Sequence, residues 1–188
     1  MNFIEDSINK NLAKKIFIIL KGRISPKSSL LDYGCGRGFV GQELQQNLEL
    51  GILGVDVIDV RRVGIPFKQI HSHQRLPFKD RQFDYVLVSF VLHHTDNIED
   101  ILRELKRVVR KKIFIFEDTP SNLVTNWQCN LHGFAFKMVY GLKNNWQFYS
   151  YDEWQNIFSS VGLKQEKAIS FHSNNPIYNP SRTLFIVK

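Results

Sequence analysis

Cysteine is scarce in this chain: of 188 residues only Cys35 and Cys129 carry a thiol. Two cysteines cannot build the disulfide framework of a small secreted scaffold, and Cys35 stands between Gly34 and Gly36, where a cross-link would crowd the backbone. A reducing, cytoplasmic setting is therefore expected. Long apolar runs are missing too. The best stretch, Ile16-Phe17-Ile18-Ile19-Leu20, is bracketed by Lys15 and Lys21 and falls far short of the roughly 20 residues that a membrane span needs. Neither a signal peptide nor a membrane partner is expected. No cysteine and histidine set has zinc-ligand spacing, and His71, His73, His132 and His172 share no period, so no metal is assigned. Internal repeats and low-complexity tracts are also lacking.

What remains has a globular balance, 43% hydrophobic and 23% charged, at the length of one ordinary domain. A single domain over residues 1–188 is expected. Lysine and arginine exceed acids by 25 to 18, a net charge of +7 that raises the question of a nucleic-acid partner. The basic residues, among them Lys14, Arg61, Arg62, Arg103 and Arg110, are scattered, and no basic run alternates with stacking aromatics. A solvated surface is favoured over RNA binding. The oligomeric state leaves no mark in the sequence.

Ile8, Leu12, Ile16, Ile19 and Leu20 recur at helical spacing behind Ser7, which predicts a leading helix over 7–21. Leu30-Leu31-Asp32 predicts a short strand broken by glycines, and Phe39, Val40 and Leu44 open a helix directly after them. Further strands are predicted over Ile52 to Asp56, over Gln69 to His71, and over the apolar run Tyr85 to Phe90. Ile98, Ile101, Leu102, Leu105, Val108 and Val109 fit one helix face, and Ile113 to Phe116 a buried strand. Alternation then lapses over an aromatic-rich insertion, residues 121–149, long enough to suggest a functional cap.

Order returns with the capping box Ser150-Tyr151-Asp152-Glu153, a helix face of Trp154, Ile157, Phe158 and Val161, and a stop at Gly162. Two last strands, Leu163 to Phe171 and Thr183 to Val187, are expected to pair as an antiparallel hairpin. The sum is a doubly wound α/β fold of Rossmann-like type, with a mostly parallel seven-stranded sheet and helices on both faces.

The loop Asp32-Tyr33-Gly34-Cys35-Gly36-Arg37-Gly38 joins a strand to a helix, where glycines let a ligand approach the backbone. Two ligand classes can claim it. Gly36, Gly38 and Gly41 match the dinucleotide fingerprint, and Asp56 lies at the distance expected of a ribose-holding acid. Asp32, at the tip of the first strand, opposes a pyrophosphate and favours a ligand that carries an ammonium group.

From Leu31 to Gly38 the chain resembles the first motif of the class I S-adenosylmethionine-dependent methyltransferases. Gly54-Val55-Asp56 is similar to the family's second-strand tip, and Leu76-Pro77-Phe78 through Ser89 to its turn into the fourth strand, followed by Val91-Leu92-His93-His94. The motifs span residues 30 to 117 in the family's order. The resemblance implies S-adenosyl-L-methionine as donor, with S-adenosyl-L-homocysteine as product. It implies a donor site built from Asp32, Tyr33, Gly34, Cys35, Gly36 and Gly38, with Asp56 on the ribose and Val57, Ser72, His73 and Ser89 completing it. Two positions depart from the family: Ser72 replaces the acid that meets the adenine amino group, and Val109-Arg110-Lys111-Lys112 replaces a proline-glycine-glycine turn.

Methyl transfer from a sulfonium needs alignment and a dry site more than a catalytic triad. A base helps when a hydroxyl or amine must lose a proton, and His93 and His94, at the carboxyl edge of the sheet, are the candidates. Either could instead pack under the donor or bond a backbone carbonyl. Glu117 and Asp118 end the fifth strand and could orient an acceptor, or cap a helix. Cys35 is expected to be small because its loop is crowded, not to be a nucleophile. Trp127, Phe134, Phe136, Tyr140, Trp146, Phe148 and Tyr149 could line an acceptor pocket or pack on the sheet. The expected function is methylation of a small molecule at oxygen, nitrogen or carbon. The rivals are an RNA or protein methyltransferase and a catalytically silent donor-binding protein.

Overall fold

The computed structural model describes residues 2–70, 75–95, 97–122, 124–131, 147–172 and 181–188. Its strands form a seven-stranded sheet in the order β3-β2-β1-β4-β5-β7-β6. They are β1 (Ser29–Tyr33), β2 (Gly51–Asp56), β3 (Phe67–Gln69), β4 (Phe83–Ser89), β5 (Val109–Asp118), β6 (Gln165–His172) and β7 (Ser181–Val187). β1 runs parallel to β2 and β2 to β3, whereas β7 is antiparallel to both β5 and β6. The order reverses beside β1, and in open α/β sheets ligands bind at the carboxyl ends of the strands near such a reversal. The described chain divides into two compact units, residues 1–87 with 108–111 and residues 88–107 with 112–188.

In the first unit α1 (Asn2–Leu20) packs on α2 (Phe39–Leu48). α1 begins before Ser7, because the stretch from Asn2 to Asp6 contains neither glycine nor proline and the helix runs on through it. Its buried stripe is Ala13, Ile16 and Leu20, while Ile8, expected on that face, is 60% exposed. β3 starts at Phe67, ahead of the expected Gln69, and its last residue Gln69 pairs with Asp56, the last residue of β2. His71 lies outside the described residues. Asp84 of β4 fastens neighbouring segments: it accepts from the amide and hydroxyl of Ser29, both at 3.1 Å, and pairs with Arg110 and Lys111 at 3.3 Å. Burial alone would raise its carboxyl, but these Ser29 and Lys111 contacts outweigh it and hold the group below the ordinary carboxylate range.

α3 (Ile98–Val108) passes into β5 with no loop between them, and Val109 belongs to the strand. This is where the family's proline-glycine-glycine turn is replaced. Residues 124–131 are helical (α4), inside the insertion where the alternation lapses. α5 (Tyr151–Ser160) starts at the expected capping box, with both reciprocal bonds between Ser150 and Glu153 formed. Gly162, at φ 67°, follows its end. Trp154 and Phe158 of α5 pack on Phe185 of β7 with ring centroids 6.0 and 5.3 Å away. Among the described residues no helix is long and apolar enough to cross a membrane.

Candidate functional site

In the first unit the chain leaves β1 at Asp32-Tyr33 and turns through Gly34, Gly36 and Gly38 at φ 70°, 49° and 82°. Only glycine holds this conformation without strain. At Gly38 space is short as well, since a Cβ would stand 2.8 Å from Val63 Cγ2. Four of the loop amides are engaged within the unit. Gly34 N and Cys35 N donate to Val55 O at 2.8 and 3.1 Å, and Gly38 N donates to Cys35 O at 2.8 Å. Gly36 N donates to Asp56 Oδ2 at 2.9 Å, and Val57 N to Asp56 Oδ1 at 2.7 Å. Each Asp56 oxygen thus holds a backbone donor and retains a further lone-pair direction.

Asp32 is 1% exposed, and neither of its oxygens has a hydrogen-bond partner among the described residues. Burial, and after it the charge of Asp56, pushes its carboxyl up to about 7, while the Gly41 amide draws the other way without reaching hydrogen-bond geometry. Gly41 is glycine because a Cβ there would lie 3.0 Å from Asp32 Oδ2. Tyr33 is buried, and burial followed by Asp56 pushes its phenol up to about 12. Burial, then Asp32 and Asp56, raises the Cys35 thiol, so it stays protonated. Its Sγ packs where a Cβ on Gly54 would come within 2.8 Å, which accounts for the glycine at position 54. Arg37 ties the loop to α1 through Glu5, at 2.7 Å, and Asp6. Val57 is exposed, Ser89 closes β4 half-buried, and Ser72 and His73 lie outside the described residues.

In the second unit β4 gives way to Phe90 at φ 57°, an unusual conformation for a bulky side chain. Phe90 N donates to Phe116 O at 2.8 Å. The turn Leu92–His94 follows. Glu117, fully buried at the end of β5, receives this turn: Oε1 accepts from Val91 N at 3.0 Å and Leu92 N at 2.8 Å, and Oε2 lies 2.6 Å from His93 Nδ1. The His93 ring stacks on Phe148 at 4.8 Å, and Gln147 N donates to His93 O at 3.1 Å. His94 lies beside it, ring centroids 3.9 Å apart. Of the two histidines expected to serve as a base, His93 is the one that Glu117 holds. Asp118 projects to the opposite face, as strand alternation requires, and meets Arg182 across the ladder.

The Glu117 and His93 pair escaped the sequence, because the two are separated by 24 positions and only their neighbouring elements bring them together. The usable signal was an acid ending an otherwise apolar strand. Of the insertion aromatics, Phe148 reaches His93 and Tyr149 packs edge-on to Trp154 at 5.4 Å, while Trp127 is exposed. Phe134, Phe136, Tyr140 and Trp146 lie outside the described residues.

Residues 31–116 match the family model described as a methyltransferase domain. Mitochondrial arginine-hydroxylase NDUFAF5 of Mus musculus is 25% identical over 115 residues, covering 58% of this chain and 32% of the relative. Demethylmenaquinone methyltransferase of Bacillus mycoides is 26% identical over 120 residues, covering 54% and 49%. The chain thus spans about a third to about a half of the length of these curated relatives. A SAM-dependent methyltransferase from Archaeoglobus fulgidus superposes with a TM-score of 0.73 at 17% identity, over 95% of this chain and 94% of that one, which shows a shared fold.

Proposed function

We propose that this chain is a class I S-adenosylmethionine-dependent methyltransferase that methylates a hydroxyl or amine of a small molecule, a reading supported by the methyltransferase-domain model matched over residues 31–116. Asp32 is the observation that carries the reading. A buried carboxylate without a partner is costly, and it suits a ligand that brings positive charge. A pyrophosphate would bring like charge, and the amides of Gly34, Cys35, Gly36 and Gly38 are already engaged. The donor's ammonium and sulfonium have the opposite sign. Asp56, with a lone-pair direction left on each oxygen, fits a ribose diol. Tyr33, Gly34, Cys35, Gly36 and Gly38 would form the floor of the site, with Val57 at its rim.

When bound, S-adenosylmethionine supplies a methyl group whose carbon takes the acceptor's lone pair as its bond to sulfur breaks, leaving neutral S-adenosylhomocysteine. The chain's contribution at the acceptor is proton transfer. With Nδ1–H donated to Glu117, Nε2 is the basic nitrogen of His93 and is suited to receive the acceptor's proton. Phe148, stacked on the ring, keeps water from one of its faces. The base is therefore assigned to His93, with His94 as its packing neighbour.

The test is label transfer from methyl-tritiated S-adenosylmethionine into the small-molecule, RNA and protein fractions of a cell extract. Label is expected in the small-molecule fraction and should be lost with His93→Ala. Label confined to RNA or protein overturns the acceptor class. Donor binding without transfer to any fraction supports a silent binding protein instead.

A further inference from the structure

We propose that Arg182 is an anion-binding residue, and that the methylated molecule carries a carboxylate which its terminal guanidinium nitrogens receive. The inference rests on the methyltransferase reading for the identity of the ligand as acceptor, and on the second unit alone for the site.

Arg182 is the second residue of β7, where the register sets it opposite Asp118 of β5 and Phe171 of β6. Its Nε donates to Asp118 Oδ1 at 2.9 Å, and its guanidinium carbon sits 5.0 Å from the centroid of the Phe90 ring. The side chain is only 17% exposed. An arginine has five N–H donors in a planar fork. Here one is used, a ring covers one face of the plane, and the two terminal nitrogens have no hydrogen-bond partner among the described residues. A cross-strand ion pair alone does not need this arrangement, since a lysine would neutralise Asp118 equally well. A flat, stacked fork whose two ends have no partner among the described residues matches the two oxygens of a carboxylate.

Phe90 is the second, independent observation. Among the described residues it is the single aromatic of the non-glycine residues at positive φ, and such strain persists where surrounding structure enforces it, most often at ligand sites. Its amide is pinned to Phe116 O, and its ring forms the shelf on which the guanidinium lies. The end of β5 therefore serves both functions in consecutive residues. Glu117 orients His93, and Asp118 orients Arg182.

The experiment is an NMR titration of the full chain, observing the arginine side-chain nitrogens in the presence of S-adenosylhomocysteine, with benzoate as the probe and benzamide as its neutral isostere. Benzoate should shift the Arg182 resonances and benzamide should not. Arg182→Gln should weaken benzoate binding by about tenfold or more. Arg182→Lys retains the charge opposite Asp118 but loses the fork, and should weaken it comparably, which decides the matter if the glutamine variant does not fold. Equal benzoate binding by wild type and both variants overturns the proposal, as does an Arg182 signal that benzoate never moves. S-adenosylhomocysteine should bind wild type and variants alike. Its failure to bind wild type would sink the methyltransferase reading and leave the anion site to be judged by benzoate alone.

Discussion

The carboxylate of Glu117 lies 2.6 Å from Nδ1 of His93, with both side chains buried. Its other oxygen takes the amides of Val91 and Leu92, so one side chain sets both the path of the turn and the orientation of the ring. A carboxylate in this position can only accept from Nδ1–H, which leaves the basic lone pair on Nε2.

Glu117→Gln tests that assignment. The amide can still accept from the turn, but its NH2 must donate to Nδ1 and so moves the ring proton to Nε2. Turnover is expected to fall about 100-fold to 1,000-fold, with S-adenosylhomocysteine affinity nearly unchanged and stability lowered by about 1 kcal/mol. Nitrogen NMR of His93 should report the altered tautomer. Unchanged turnover removes the base from this pair.

Asp32 gives the account a pH signature. Its folded-state value of about 7 lies above the ordinary 3.8, so between those values the native state binds more protons than the unfolded chain. Stability of the unliganded protein should therefore fall as pH rises from about 4 to about 7, by about 4 kcal/mol. Asp32→Asn should remove that slope and raise the melting temperature at pH above about 8. The cationic donor prefers the ionised form, so S-adenosylmethionine affinity should rise as pH passes through about 7 in wild type and stay flat and weaker in the variant. A flat profile in wild type contradicts the role given to Asp32.

The glycine positions make a packing prediction. Gly38→Ala meets Val63 at 2.8 Å in a left-handed conformation and should cost about 2 kcal/mol or more. Gly54→Ala brings a Cβ within 2.8 Å of Cys35 Sγ and should cost about 1–3 kcal/mol. Adding Cys35→Ala should recover part of the Gly54 loss, because the sulfur goes while Cys35 Cβ and Ile65 stay. Denaturant melts of the single and double variants measure the coupling, and strict additivity would contradict the contact.

Ser150→Ala removes the hydroxyl that accepts from Glu153 N and should destabilise the protein by about 1 kcal/mol. The Ser150 amide and hydroxyl hold the Glu153 carboxyl below its usual range. Thermal melts at neutral pH should show the loss, and an unchanged midpoint would mean that α5 does not need its cap.

What could be read in advance follows from the range of the forces involved. Local signals served well: the glycines of the loop, the Ser150 capping box, the buried face Ile98, Ile101, Leu102 and Leu105, and the closing hairpin are all present. Boundaries set by neighbours did not. β3 starts at Phe67, ahead of the expected Gln69, and Val109 joins the strand because β5 extends back to meet α3. The site divided in the same way. Asp32 and Asp56 stand in a local sequence motif, whereas Glu117 meets His93, and Arg182 meets Asp118 and Phe90, only through pairings across the sheet. Pairings across the sheet leave no period in a sequence.

Calorimetric titration of the whole chain with S-adenosylmethionine and with NAD tests the central claim most directly. The account predicts saturable binding of S-adenosylmethionine, weakened about tenfold or more by Asp56→Ala, and no binding of NAD. Binding of NAD with none of S-adenosylmethionine would contradict it.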